Sequence, residues 1–159
     1  MMKKMILITA VLIMSVCTSA CNVSANIEST DLTDISINGL QINRELDPES
    51  LGSYTESDRY SGDYKYKFEE IIIDTDKDDK ITYIFGRFDE SSISVNGKSD
   101  LSYVSEATAV LGDNYSEQVY DREQHLSQHT YTDRENRISS EFIYSDFDGS
   151  LIWLVIRAD

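Results

Sequence analysis

The sequence predicts an α+β protein of two tandem units, each with a short helical segment packed on an antiparallel sheet. Three observations support this fold class. Ile-Ser-Ile-Asn-Gly at residues 35–39 recurs as Ile-Ser-Val-Asn-Gly at residues 93–97. Each copy is followed by a Leu-Gly pair that is typical of a helix end, and each unit closes with two strand-like segments around a turn. The repeated order indicates an internal duplication, with units at residues 35–90 and 91–159.

Each unit is expected to contain a helical segment after the repeated pentapeptide. In the second unit, apolar residues recur at helical spacing over residues 101–111, and Gly112 follows as a stop signal. In the first unit, Asp47 and Pro48 suit a helix start. Only about one turn follows before Gly52, so this helix is expected to be short or degenerate.

Strands are expected to complete each unit. Residues 64–68 alternate aromatic residues with lysines, which predicts a strand with its aromatic side chains on one face. Residues 71–74 and 81–85 flank a predicted hairpin turn. In the second unit, residues 141–145 and 151–156 flank an Asp-Gly pair that favours a tight turn. Because the last segment is apolar on both faces, we expect a central strand that is covered on both sides.

The chain begins with the pattern of a bacterial lipoprotein signal over residues 1–20. Two lysines form a basic start, residues 5–16 form an apolar run, and small residues precede Cys21. The apolar run is shorter than the about 20 residues that a membrane-spanning helix needs. We expect cleavage before Cys21, a diacylglyceryl anchor on its thiol and a polar tether over residues 21–34. Ordinary signal cleavage is the alternative, and it would leave Cys21 as a free thiol or move the cut downstream.

Removal of the signal changes the composition of the chain. Cys17 would leave with the signal, so the remaining protein would have no disulfide and no thiolate nucleophile or cysteine metal site. Lys3 and Lys4 would leave as well, so the basic residues fall from 14 to 12 against 29 acidic ones, a net charge of −17. This charge argues against a nucleic-acid partner. It also repels anionic lipid headgroups, so attachment to the membrane would depend on the acyl chains.

These features predict an extracytoplasmic protein that is anchored to a membrane. The absence of any cysteine after Cys21 and the shortness of the tether favour a Gram-positive cell surface over a periplasm.

Four aspartates crowd the first predicted hairpin turn, and alternating carboxylates can supply oxygen ligands to calcium. An EF-hand loop counted from Asp74 needs Gly at its sixth position and Glu at its twelfth, where this chain has Asp79 and Phe85. A solvated turn is therefore the preferred interpretation, and no cofactor is predicted. The alternative is weak calcium binding by Asp74, Asp76, Asp78 and Asp79.

His125 and His129 are four residues apart, a spacing that would place both imidazoles on one helix face. However, Leu126 stands where a zinc protease has its Glu, and residues 130–132 favour a strand, so no metal site is predicted. The chain has neither a Gly-x-Ser-x-Gly elbow nor a phosphate-binding loop. We predict no catalytic residues and no enzyme activity. The alternative is a small hydrolase facing the cell wall, or a ligand sensor, that uses carboxylates.

All ten tyrosines follow the signal, and many lie on predicted strands. A tyrosine combines a large apolar ring with a polar tip, which suits a surface that is wet when free and buried when bound. The alternative is that these rings pack beneath the helices as core. We expect one sheet face to bind a partner protein through Tyr64, Tyr66, Tyr83, Tyr131, Tyr144 and Trp153.

The two Asn-Gly starts, the two Leu-Gly helix stops and the two terminal hairpins cover about residues 35–157. This arrangement resembles the tandem helix-plus-sheet units of the beta-lactamase inhibitory protein family and of the SmpA/OmlA small lipoproteins. The resemblance implies a protein-binding or envelope role without catalysis. We therefore expect a non-catalytic binding module of inhibitory, exclusion or envelope-assembly type, with an unidentified extracytoplasmic protein as its partner.

Overall fold

The computed structural model describes residues 27–56 and 65–159, and these residues are mostly β-structure. They contain one α-helix, α1 (Val104–Leu111), and one 3₁₀ turn, Pro48–Leu51. The ten strands are β1 (Ile35–Ile37), β2 (Thr55–Glu56), β3 (Tyr66–Lys67), β4 (Ile71–Thr75), β5 (Ile81–Arg87), β6 (Ile93–Val95), β7 (Ser116–Asp121), β8 (Leu126–Asp133), β9 (Ile138–Ser145) and β10 (Leu151–Ala158).

The strands form two antiparallel sheets. The larger sheet has eight strands in the order β2-β3-β4-β5-β10-β9-β8-β7, and the smaller one consists of β1 and β6. The two predicted hairpins are confirmed as β4–β5 and β9–β10. β5 pairs with β10 near the middle of the large sheet, with Ile84 opposite Ile156. The prediction that the last strand is central is therefore confirmed.

The predicted α+β class, with two helix-on-sheet units, is wrong. The described residues are mainly strands, and α1 has only eight residues. In the first predicted unit the helix is a single 3₁₀ turn of four residues, which begins at Pro48 and ends before Gly52, where φ is 97°. Four residues are too few to repay the cost of nucleating an α-helix. In the second, the carboxylate of Glu106 accepts the N–H of Tyr103 at the start of α1.

One face of the eight-stranded sheet, which we call the core face, packs against β1, β6 and α1. Gly86 in β5 allows β1 to approach closely, because a Cβ at this position would lie 2.6 Å from Cγ2 of Ile37. The hydroxyl of Tyr131 donates to the carbonyl of Gly112, directly after α1 (3.1 Å). The core face carries the completely buried side chains Ile73, Ile84, Phe142 and Leu154.

The two copies of the repeated pentapeptide pair with each other. β1 and β6 run antiparallel, with Ile35 opposite Val95 and Ile37 opposite Ile93, and all four side chains are buried. Each strand continues into an Asn-Gly pair in which both residues have positive φ, as in a type I′ turn. The internal repeat is therefore a symmetric two-stranded cover on the core face.

Residues 27–34, which the sequence assigns to the tether, lie against the end of β8. The N–H of Thr30 donates to the backbone of β8 (3.0 Å), and the N–H of Leu32 donates to the carboxylate of Asp133 (3.1 Å). Leu32 is buried, and the guanidinium of Arg134 donates to the carbonyl of residue 27 (2.7 Å). The described part of the predicted tether is thus packed on the folded body.

Candidate binding face

The second face of the eight-stranded sheet, which we call the open face, lies opposite β1 and α1. Within the described residues, no helix or strand of the chain packs on it. Side chains alternate along a strand, so Tyr83 and Phe85 of β5 and Trp153 of β10 project here, and all three are half-buried. Val155 and Ile143 lie among them and are buried, although they stand apart from the main hydrophobic core. Among the described elements, those that cover the central strand β10 therefore all lie on its core side.

Three aromatic rings, Tyr120, Trp153 and Phe85, form a row across the open face, which we call the aromatic row. The rings of Tyr120 and Trp153 meet edge to face with centroids 5.5 Å apart, and those of Trp153 and Phe85 are 6.3 Å apart. β7 and β10 are separated by three strand spacings, roughly 14 Å. The Tyr120 and Trp153 rings must therefore lean over β8 and β9, where they shelter Gln128 and Ile143. Tyr120 nevertheless remains 50% exposed.

The charges on the open face are balanced, although the whole chain has a net charge of −15. The guanidinium of Arg157 pairs with Glu141 (3.1 Å) and lies 5.9 Å from the centre of the Tyr83 ring. By strand alternation, three basic and three acidic side chains share this face. They are Lys67, Arg87, Arg157, Asp74, Asp121 and Glu141.

The described members of the predicted tyrosine set divide between the two faces. Tyr66, Tyr131 and Tyr144 project from the core face and are 7%, 0% and 7% exposed. Tyr83 and Trp153 project from the open face and are half-buried. Of the described members, only these last two therefore share the open face. Strand register decides this division, because a shift of one residue moves a side chain to the opposite face.

Phe85 and Tyr120, which complete the aromatic row, are not among the binding residues predicted from the sequence. A signal for Phe85 was present, because it follows Tyr83 at the two-residue period of a strand. Tyr120 had no comparable signal. It lies where the β7–β8 register shifts, between Val119 and Asp121, and such a bulge is set by strand pairing.

The structure places the two histidines in different surroundings. His125 is exposed in the turn before β8, with φ at 55°, and its ring contacts Phe147 (4.6 Å between centroids). His129 lies within β8 on the core face and is 6% exposed. Its ring stacks on Tyr115, with centroids 3.8 Å apart and planes 18° apart.

Glu117 and Tyr144 complete the surroundings of His129. The Tyr144 ring meets the imidazole edge to face at 5.0 Å, and its hydroxyl donates to Oε1 of Glu117 (2.6 Å). The same Oε1 is 3.9 Å from Nε2 of His129. Burial lowers the pKa of His129, and the charge of Glu117 opposes this only in part. Burial, followed by the hydrogen bond to Glu117, raises the pKa of Tyr144.

Two aspartates of the β4–β5 hairpin, Asp76 and Asp79, have their carboxylates engaged by neighbouring groups. Oδ1 of Asp76 accepts the N–H groups of Lys80 (2.9 Å) and Asp78 (2.8 Å), and these hydrogen bonds lower its pKa. Asp79 forms an ion pair with Lys65 (2.9 Å). Across residues 27–56 and 65–159, no three His, Cys, Asp or Glu side chains are arranged to hold a metal ion. Weak calcium binding stays an untested alternative.

Two of the predicted functional residues, Cys21 and Tyr64, lie outside the described residues, as does the signal at residues 1–20. Lipidation, the extracytoplasmic location and the unit boundary at residues 90 and 91 stay predictions. In the described part of the chain, no helix has the length and apolar character that crossing a bilayer requires.

Comparison of the chain with protein-family models, with curated proteins and with solved structures gives no match. The resemblance to the beta-lactamase inhibitory protein family and to the SmpA/OmlA lipoproteins therefore stays a prediction.

Proposed function

We propose that the protein is an extracytoplasmic lipoprotein, anchored through Cys21, that binds another protein through the open face and has no catalytic activity of its own. The observation that carries the proposal is the aromatic row on a sheet face that no described element covers. Half-buried tryptophan and tyrosine rings offer a large apolar area with few rotatable bonds, so their burial by a partner costs little side-chain entropy. Such residues are enriched among those that dominate binding energy.

The balance of charge supports a protein partner that is held by ring contacts. Because the open face carries as many basic as acidic side chains, it would not repel a partner as the rest of this acidic chain does. Arg157 adds a cation that already lies over an aromatic ring. The alternative of a carboxylate hydrolase finds no support in Glu141, whose carboxylate forms an ion pair with Arg157.

Site-specific photocrosslinking on intact cells tests the binding face. A photoreactive residue at position 85 should capture a partner, whereas one at position 147 should not, although Phe147 is 78% exposed. The captured protein is then purified and its affinity measured. Trp153→Ala should weaken binding by at least about 30-fold, as expected for a residue that contributes about 2 kcal/mol or more. Equal capture from both positions, or unchanged affinity of Trp153→Ala, would refute the assignment.

The anchor is tested separately by metabolic labelling with a radioactive fatty acid. The wild-type protein should incorporate the label, and Cys21→Ala should not. Label that persists in Cys21→Ala would contradict the lipoprotein assignment. It would not bear on the proposed binding role of the open face.

A further inference from the structure

The edge strand β7 links His129 to the aromatic row. On the core face, Glu117 of β7 and the preceding Tyr115 enclose the imidazole. On the open face, Tyr120 of the same strand contacts Trp153. Among the described strands, β7 pairs with β8 alone, and most side chains of β7 are exposed. Local opening is easiest in elements with few buried contacts, so β7 can separate while the central strands stay paired.

In the closed arrangement, in which β7 is paired with β8, the surroundings of His129 suit a neutral imidazole and offer little to stabilise a charged one. Nδ1 of His129 is buried and has no hydrogen-bond partner among the described residues. A proton added there would find no acceptor, which is costly in a buried position. The nearest negative charge, on Oε1 of Glu117, is 3.9 Å from Nε2 and already accepts the Tyr144 hydroxyl. Water would solvate both N–H groups of the imidazolium if β7 moved away.

We propose that protonation of His129 releases the edge strand β7 and separates Tyr120 from Trp153, so that the aromatic row is intact at neutral pH and loses Tyr120 in mild acid. This inference rests on two contacts of β7 on opposite faces of the sheet: Glu117 lies near His129 on the core face, and Tyr120 contacts Trp153 on the open face. The consequence for partner binding rests on the proposed function, whereas the release of the strand does not.

The direction of the pH dependence follows from burial, which lowers the pKa of His129 in the closed state. An imidazole exposed by opening has an ordinary pKa of about 6.5. The closed state is therefore most stable above that pH, and its advantage falls as the pH drops towards the lower pKa. Within this range the ratio of open to closed molecules rises up to tenfold per pH unit.

Other titratable groups near His129 come from every neighbouring element. Tyrosine hydroxyls do not titrate in acid, and ordinary carboxylates titrate about two pH units below an ordinary imidazole. A transition between about pH 6.5 and 5 therefore indicates histidine. Tyr115 before β7, Glu117 in β7 and Tyr144 in β9 surround the imidazole itself. Tyr131 in β8 contacts Tyr115, and the charges of Asp113 and Asp146 act on Tyr131 and Tyr144.

Trp153 is the single tryptophan of the chain, so its fluorescence reports on the aromatic row without a partner. In the purified protein, Trp153 emission should shift to longer wavelength between pH 6.5 and 5, while far-ultraviolet circular dichroism shows that most strands persist. His129→Phe keeps a ring against Tyr115 but cannot be protonated, so the shift should disappear. His125→Asn is the matched control, since asparagine tolerates positive φ, and it should keep the shift. A shift that persists in His129→Phe, or its absence from the wild type, would overturn the proposal.

A second measurement covers the case in which His129→Phe does not fold. In the wild-type protein, nuclear magnetic resonance should show the β7 amides that are hydrogen-bonded to β8, within residues 116–119, becoming exchangeable at the pH where the His129 imidazole titrates. Titration of the imidazole with unchanged protection of these amides would also overturn the proposal. Failure to find any partner would refute the proposed function and leave both measurements unaffected.

Discussion

Substitution of Gly86 by alanine tests how closely β1 packs against the eight-stranded sheet. The added Cβ would lie 2.6 Å from Cγ2 of Ile37 and 3.0 Å from the hydroxyl oxygen of Ser91. Ile37 is completely buried and β-branched, so its side chain cannot readily rotate away. Overpacking of this kind costs about 1–3 kcal/mol. The reduced freedom of the unfolded chain returns about 0.4–1 kcal/mol, so we expect a net loss of about 1–2 kcal/mol.

Urea unfolding followed by Trp153 emission measures this loss. A double-mutant cycle with Ile37→Ala isolates its cause, because that substitution removes Cγ2. In the Ile37→Ala background, Gly86→Ala should be neutral or stabilising, which gives a coupling free energy of at least about 1 kcal/mol. If Gly86→Ala is as stable as the wild type, or costs the same in both backgrounds, β1 does not pack on β5 as described.

Three further predictions concern local contacts. Alanine at Asn38 or Asn96, which have φ of 51° and 49°, should cost about 1–2 kcal/mol in thermal unfolding. The loss should be larger at Asn38, whose side chain also accepts a backbone N–H across the β1–β6 pair, and equal losses would contradict this. Tyr131→Phe should cost about 0.5–1.5 kcal/mol in urea by removing a partly buried hydrogen bond, and no loss would count against that bond. Asp133→Asn should expose residues 27–34 to limited proteolysis at neutral pH. Burial opposes the charged form of Asp133, but hydrogen bonds outweigh burial and lower the pKa of this carboxyl. The wild type should therefore lose this protection as the pH falls below about 4. Equal protection of both proteins at neutral pH would refute the role of Asp133.

The strands and turns could be predicted to a large extent because their signals are local. The alternation at residues 64–68 predicted aromatic side chains on one face and lysines on the other, and in the structure Tyr66 and Phe68 are buried whereas Lys67 is exposed. Turn chemistry located the β4–β5 and β9–β10 hairpins. The helical content was overestimated, since a Leu-Gly pair predicts where a helix ends and says little about its length.

The binding residues were harder to predict, because their positions depend on pairing between distant strands. Tyr131 and Tyr144 look like surface candidates in the sequence, yet their register with neighbouring strands turns them to the core face. Tyr120 reaches Trp153 only because pairing places β7 and β10 in the same sheet, with a bulge at Tyr120, and both rings lean over the two strands between them. A ring on a strand can serve either as core or as interface, and alternation alone does not distinguish the two faces.

By itself the sequence determined the strong acidity of the chain, the position of its turns and the existence of two related segments. Asn-Gly and Asp-Gly pairs favour particular backbone angles, and side-chain alternation favours strands, whatever the rest of the chain does. Only the tertiary structure decided that the two related segments pair with each other and that Tyr83 and Trp153 lie on the open face. The physical reason is that burial and register arise from contacts between residues far apart in the chain, and these contacts choose among local conformations that the sequence allows equally.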